Sequence, residues 1–325
     1  MNILITGGAG FIGSHLVERL VKKNNRITVI DNLSTGRLEN IKNVLHKITF
    51  IKKDISKINN IRKYFKGIDR VFHLAALADI VPSIKNPHEY YNSNVTGTFN
   101  VLKCSEEFGI KKFLYAASSS CYGMPKKYPT DEQQTCEPQY PYALTKMMGE
   151  QLVLHWSKVY KLKSISLRLF NVYGTKSRTS GTYGAMFGVF LAQKLSGSPL
   201  TIVGNGKQTR DFTYVSDVVD AFICASNSKA YNHIFNVGSG KTISINKIAS
   251  LLNSKKIYIP KRPGEPDITF ANIKKIKTLL HWKPKIDIKK GINLILKDIK
   301  YWSKAPVWTP KSIKVATKDW FKYLK

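Results

Sequence analysis

The chain has 325 residues, 43% of them hydrophobic, and a formal net charge of +31. That length suits one large domain or two, and no apolar run reaches the ~18 residues needed to cross a bilayer. Cys104, Cys121, Cys136 and Cys224 are scattered without a C-x-x-C, which speaks against structural zinc or another bound metal and for a reduced, cytoplasmic protein with no secretory signal. The lysines are spread along the whole chain. The charge therefore reads as a solvated surface that can collect an anionic substrate, with no nucleic acid partner expected.

The first element is a strand over residues 2–6, running straight into the glycine turn GGAGFIG and a helix near 11–22. A second strand, 27–30, ends at Asp31. Gly7, Gly10 and Gly13 let the turn tighten, let the backbone approach a pyrophosphate and let the helix lie close to the strand. Asp31 stands where a carboxylate accepts hydrogen bonds from a ribose diol, which selects NAD over a 2′-phosphorylated cofactor. Strand-like runs follow at 48–52, 70–74, 112–116 and 164–170, with helical patterns near 57–65, 87–107 and 141–160. Alternating βα units predict an α/β fold, a doubly wound parallel sheet of the Rossmann type. Ligands should gather at the carboxyl ends of its strands.

After Asn171 the pattern changes to short strands, loops rich in Gly and Pro, and shorter helices. A NAD-binding domain is expected over 1–170, with return segments near 207–238. A smaller, interleaved α/β substrate-binding domain is expected over 171–325. The apolar run at 233–238 reads as one more strand of the main sheet. The last stretch begins with a proline-broken linker and continues as an amphipathic helix with Ile313, Ala316, Trp320, Phe321 and Leu324 near one face.

Tyr142 and Lys146, in PYALTK, lie one turn apart on a predicted helix. An ammonium beside the phenol is expected to lower the tyrosine pKa from its ordinary value near ~10 and make a general base. Upstream, FLYAASSSCYG (113–123) starts as a buried strand and ends in three serines. Ser118 is expected to point its hydroxyl into the crevice. Ser120 stands evenly between that role and a plain capping turn.

These pieces together resemble the extended short-chain dehydrogenases/reductases of the nucleotide-sugar epimerase/dehydratase group, closest to UDP-glucose and UDP-N-acetylglucosamine 4-epimerases. The matching segments are TGGAGFIG, DNLSTGRLENI, Asp54, HLAALA (73–78), NVTGT (94–98), the serine block, YALTK, LRLFNVYG (167–174), TRDFTYVSD (209–217) and RPGEPD (262–267). They run in family order over roughly residues 1–300, leaving about the last 25 outside the shared pattern. The resemblance implies that Gly7, Gly10, Phe11, Ile12, Gly13, Asp31, Asn32, Asp54, Ile55, Leu74, Ala75, Ala76, Asn94, Tyr142 and Lys146 hold NAD. It implies Ser118, Tyr142 and Lys146 as the catalytic set. Ala78, Asp79, Ser118, Ser120, Asn171, Arg210, Arg262, Glu265 and Thr269 would bind a UDP-sugar, with Leu200–Gly204 lining the base pocket.

By the same resemblance, 4,6-dehydratases carry an Asp-Glu pair where this chain has Ser119 and Ser120, and uronate decarboxylases a glutamate at Ser120. Without those carboxylates the elimination lacks its proton shuttle. Hydride transfer plus one base remains, which suffices for 4-epimerisation. Thr269, where plain-hexose enzymes place a tyrosine, leaves room beside the sugar C2 substituent. Asp79 would bond sugar hydroxyls or repel a uronate. The alternatives are another 4-keto enzyme (a UDP-glucuronate 4-epimerase or a 4,6-dehydratase), or a non-catalytic relative binding NAD or RNA. A homodimer through helices near 90–107 and 141–158 is also implied.

Overall fold

In the computed structural model, residues 1–177 and 186–324 are described. The aliphatic runs become strands β1 (Asn2–Thr6), β2 (Arg26–Asp31), β3 (Thr49–Lys52), β4 (Arg70–His73), β5 (Lys112–Ser118) and β6 (Ser164–Leu169). With the strand His233–Val237 they form one seven-stranded sheet, in the spatial order His233–Val237, β6, β5, β4, β1, β2, β3. All its pairings are parallel. β5 is buried along its whole length, as a strand covered on both faces must be. The strand order reverses at β1, where Thr6 lies opposite Ile30 on one side and His73 on the other. A crevice opens beyond the carboxyl ends of the strands at that switch point.

One face of the sheet is covered by α1 (Phe11–Val21) and the helix Val215–Asn227, through Leu16, Val17, Leu20, Val218 and Phe222. The helices Gly97–Glu107 and Pro141–Val159 cover the other face, through Val101, Leu102, Val153 and Trp156. Burying each such side chain stabilises by about 1.5–3 kcal/mol. A separate apolar cluster joins Tyr173, Phe187, Phe190, Leu200, Ile202, Ile245, Ile292, Trp302 and Ile313 beyond the sheet's end. The strand Leu200–Val203 there pairs in parallel with Lys256–Ile259.

Three expected helices take a different form. The stretch 87–107 runs as Pro87–Tyr91, a wider π-type turn over Asn92–Thr96, and Gly97–Glu107. The widening falls where Asn94 grips the loop after β4, accepting from the Leu77 N–H at 2.8 Å and donating to its carbonyl at 3.0 Å. Residues 57–65 split into Ile58–Ile61 and a tighter 3₁₀ turn, Arg62–Phe65. The tail forms two short helices, Pro310–Ala316 and Lys318–Tyr323. Ile313 and Trp320 are buried while Phe321 is exposed. The break falls at Thr317, whose hydroxyl donates to the Ile313 carbonyl at 2.8 Å, a side-chain bond that bends helices. A single apolar face therefore does not persist across it.

Candidate active site

The glycine turn is tight because its backbone packs against backbone. Gly7 has φ +72°, a region that glycine enters without penalty. A Cβ at Gly7 would sit 2.6 Å from the Ala75 nitrogen, and one at Gly13 only 2.1 Å from the Gly7 carbonyl oxygen. The turn thus presents bare main chain at the N-terminus of α1, a cradle that fits the pyrophosphate of a dinucleotide. Asp31 is 7% exposed. Its carboxylate accepts from the Ala9 N–H at 2.9 Å and the Leu33 N–H at 2.8 Å, so it braces the glycine turn as well as facing the cleft. Burial pushes its carboxyl above the ordinary range against those two bonds. At the neighbouring strand end Asn32 donates to Asp54 at 3.1 Å. Burial acts to raise the Asp54 carboxyl, but hydrogen bonds from Ser56 and Asn32 and the charge of Lys57 together hold it below its usual value.

Tyr142 sits in the first turn of its helix, directly after Pro141, a residue pre-shaped for that position. Its ring is edge-on to Tyr90, with centroids 6.5 Å apart, and near-parallel to Tyr140 at 6.4 Å. Ser118 ends β5 and caps the 3₁₀ turn Ser119–Tyr122, accepting from the Ser120 N–H at 3.2 Å. The Ser118 and Ser120 hydroxyls are 2.7 Å apart, and both reach the Tyr142 phenol. Capping and the crevice-facing role therefore coexist at Ser118, and Ser120 joins it there.

Tyr142 does not show the expected downward pKa shift. Burial raises its pKa, and the hydrogen bonds of Ser118 and Ser120 oppose that rise without cancelling it. Lys146 is itself buried, with its Nζ 4.2 Å above the Tyr115 ring. Burial pushes the Lys146 ammonium down to about 7, with Glu150 acting the other way. A lysine so desolvated is no permanent ammonium for the phenolate to lean on. His73, behind the site, bonds Thr6 at 2.6 Å and Thr98 at 2.9 Å. Burial first, then Lys146, pushes it down to about 3, so it is a neutral packing residue.

On the other wall, Glu265 bridges two arginines. It accepts from Arg262 at 2.9 and 3.2 Å and from Arg210 at 3.2 Å. Asp211 is no partner of that clamp; it is buried and takes the N–H groups of Ser239, Gly240 and Ala271. Thr269 donates to Asn171 at 2.8 Å. These residues, the glycine turn and the Ser118–Tyr142–Lys146 set line one cleft of about 610 Å³, with Ala78, Asp79, Thr201 and Val203 among the lining. That volume suits a small-molecule site.

The cleft takes in the residues anticipated from the sequence except Asn94, which is fully buried behind it, and Leu200, Ile202 and Gly204 of the expected base-pocket stretch. Leu200 and Ile202 point into the second apolar cluster instead, leaving Thr201 and Val203 at the cleft. Tyr140, Arg37, Lys53 and Trp320 line the cleft without having been anticipated there. Tyr140 could have been found as the residue preceding the helix that carries Tyr142. Trp320 gave no signal beyond its place on an apolar stripe.

The family described as NAD dependent epimerase/dehydratase matches residues 3–238. A putative UDP-glucose 4-epimerase of Methanocaldococcus jannaschii is 37% identical, over 90% of this chain and 97% of its own. A UDP-glucuronate 4-epimerase of Thermodesulfobacterium geofontis is 34% identical, over 96% of this chain and 99% of its own. Among solved structures, the UDP-N-acetylglucosamine 4-epimerase of Methanobrevibacter ruminantium M1, in complex with UDP-N-acetylmuramic acid, superposes with a TM-score of 0.86 at 32% identity. That match covers 91% of this chain and 98% of the other. With a glycine cradle, a serine–tyrosine–lysine set and an arginine pair facing one cleft, and with these relatives matched over nearly their full length, the chain belongs to the NAD-dependent epimerase/dehydratase family.

Proposed function

We propose that the protein is a 4-epimerase of a UDP-hexose, interconverting UDP-GlcNAc and UDP-GalNAc or UDP-Glc and UDP-Gal. The observation that carries this reading is the ring of hydroxyls at the reacting centre. Ser118, Ser120 and Tyr142 converge there, and residues 118–120 bring no carboxylate to act as a second acid or base. NAD, which the glycine cradle and Asp31 would hold, would supply reversible hydride transfer at the sugar C4. Tyr142 takes the proton of the 4-hydroxyl, and Ser118 hydrogen-bonds the same oxygen as charge develops on it. Lys146 would hold the nicotinamide ribose, and only in its protonated form does it favour the Tyr142 phenolate. Arg210 and Arg262 grip the diphosphate while the sugar turns over, through forks of donors suited to phosphate oxygens.

Thr269, held against Asn171, leaves space for a C2 substituent and supports an N-acetylated sugar. Asp79 in the lining opposes a uronate by like charge. The four free thiols fit a reducing, cytoplasmic setting. A homodimer is supported by exposed apolar residues on the helical face, Phe99 and Leu144 at 43% each, beside a groove lined by Tyr91, Phe99, Met147 and Leu152. Sedimentation as a monomer at micromolar concentration would exclude it.

The test is NMR of the purified protein with UDP-GlcNAc, UDP-Glc and UDP-GlcA in turn. New C4-epimer signals from one of the first two establish the reaction and name the sugar. Turnover of UDP-GlcA alone, or a new 6-deoxy methyl signal, overturns it.

A further inference from the structure

The helix Lys318–Tyr323 lies outside the family match, which ends at residue 238, yet it reaches the cleft. Trp320 is 2% exposed and lines it. Its indole N–H donates to the Pro263 carbonyl at 2.7 Å, and the Arg262 guanidinium stands 4.9 Å from its ring centroid. Its other neighbour is Tyr140, with centroids 6.2 Å apart, and Tyr140 in turn lies parallel to Tyr142. The same helix packs on Ile80–Lys85, the helix that follows Asp79, where Lys85 and Asp319 approach to 3.9 Å. One tryptophan therefore ties together the arginine loop 262–265, the approach to the catalytic tyrosine and, through its helix, the segment after Asp79.

An indole face beneath a guanidinium fixes the plane in which the fork points, and the Pro263 bond fixes the loop that carries it. A long, mobile side chain is thereby ordered before any ligand arrives, which lowers the entropic cost of binding.

We propose that Trp320 is a positioning residue for the UDP-sugar diphosphate. The C-terminal helix holds Arg262 in its binding orientation and closes the sugar end of the cleft. This rests on the reading of Arg262 as a diphosphate ligand. Affinity for the nucleotide, rather than the chemical step, is what the tail controls.

The test is calorimetric titration of UDP into the NAD-loaded protein, as wild type, Trp320→Ala, Trp320→Phe and a chain ending at Thr317. The first and last variants are expected to weaken UDP binding about tenfold, the effect of roughly 1.4 kcal/mol. Trp320→Phe should restore most of it, because a phenyl face can still lie under the guanidinium. In turnover assays Trp320→Ala should raise KM with kcat changed less than twofold, a split that general loosening would not give. If Trp320→Ala loses its fold, the phenylalanine variant and UDP quenching of the wild-type tryptophan emission decide. The quench should disappear in Trp320→Phe. Wild-type UDP affinity in Trp320→Ala or the shortened chain overturns the proposal and leaves the function standing. A phenylalanine variant as weak as the alanine variant at equal melting temperature also overturns it. Absence of UDP binding by the wild type overturns the function itself and this proposal with it.

Discussion

The two ends of the cleft are built by different means. The cofactor end is centred on one stretch, Gly7 to Asp31, where the glycine turn packs main chain on main chain, within itself at Gly13 and against Ala75 at Gly7, and is braced by the Asp31 carboxylate. The substrate end gathers Asn171, Arg210, Arg262 and Trp320 from four separate segments, held through Thr269, Glu265 and Pro263 by side-chain bonds of 2.7–3.2 Å. A main-chain cradle has one arrangement and suits a cofactor kept through turnover. An ion-paired clamp can exchange one partner for another, which suits a substrate that enters and leaves. Permanence and exchange are thus divided between backbone and side chains.

The sharpest way to separate the two ends is to remove the chemistry between them. Tyr142→Phe should cut turnover by about 10²–10⁴-fold, while released-dinucleotide absorbance and melting temperature stay at wild-type values. Retention of most of the rate would discard Tyr142 as the base.

Gly13→Ala attacks the cradle alone. The new methyl meets the Gly7 carbonyl at 2.1 Å and neighbouring main chain at 2.9 Å, none of which can swing aside. It should cost about 1–3 kcal/mol of stability and strip co-purified NAD, while UDP still binds at the far end. An alanine variant that keeps its full NAD content would refute the division.

Arg262→Lys tests the exchangeable end. A point charge replaces a fork that bonds Glu265 twice, so KM should rise about tenfold with kcat little changed, as the loss of one charge-assisted hydrogen bond of ~1.5 kcal/mol gives. A fall in kcat with KM unchanged would place Arg262 in the chemical step instead.

The last test concerns pH. The Lys146 pKa is pushed by burial from 10.5 to about 7, so between those values the unfolded chain holds a proton that the folded one has lost. Stability therefore rises with pH across that window through this group, and below about 7 its penalty is constant. On protein stripped of dinucleotide, Lys146→Met should be most stabilised relative to wild type near pH 7, with the gap in melting temperature closing towards pH 10.5. A gap that is flat with pH would show that the lysine keeps its ordinary pKa.

The sheet was readable because most of its strands are largely buried and so appear as unbroken apolar runs: β1, β5 and even the distant strand His233–Val237 fall within a residue or two of expectation. The glycine turn was readable because backbone contact admits one residue type. The π-type turn at Asn92–Thr96 was not, since it answers to a loop 17 residues away in sequence, gripped by Asn94. The direction of the Tyr142 shift was missed for a related reason: spacing reports who is near, but burial decides which charge survives. Trp320 escaped because its partners, Pro263 and Arg262, lie far back along the chain.

Glu265 sets what the arginine clamp will accept. A carboxylate fixed between Arg210 and Arg262 acts as a resident competitor whose effective concentration is on the order of millimolar or more. Chloride or free inorganic phosphate, touching one guanidinium at a time, must compete with it at each arginine separately. On the proposed reading of the two arginines, a pyrophosphate bridge would meet both at once and displace the carboxylate in a single exchange. A clamp so used would screen out the common anions of its solvent and admit the doubly charged linkage of a sugar nucleotide.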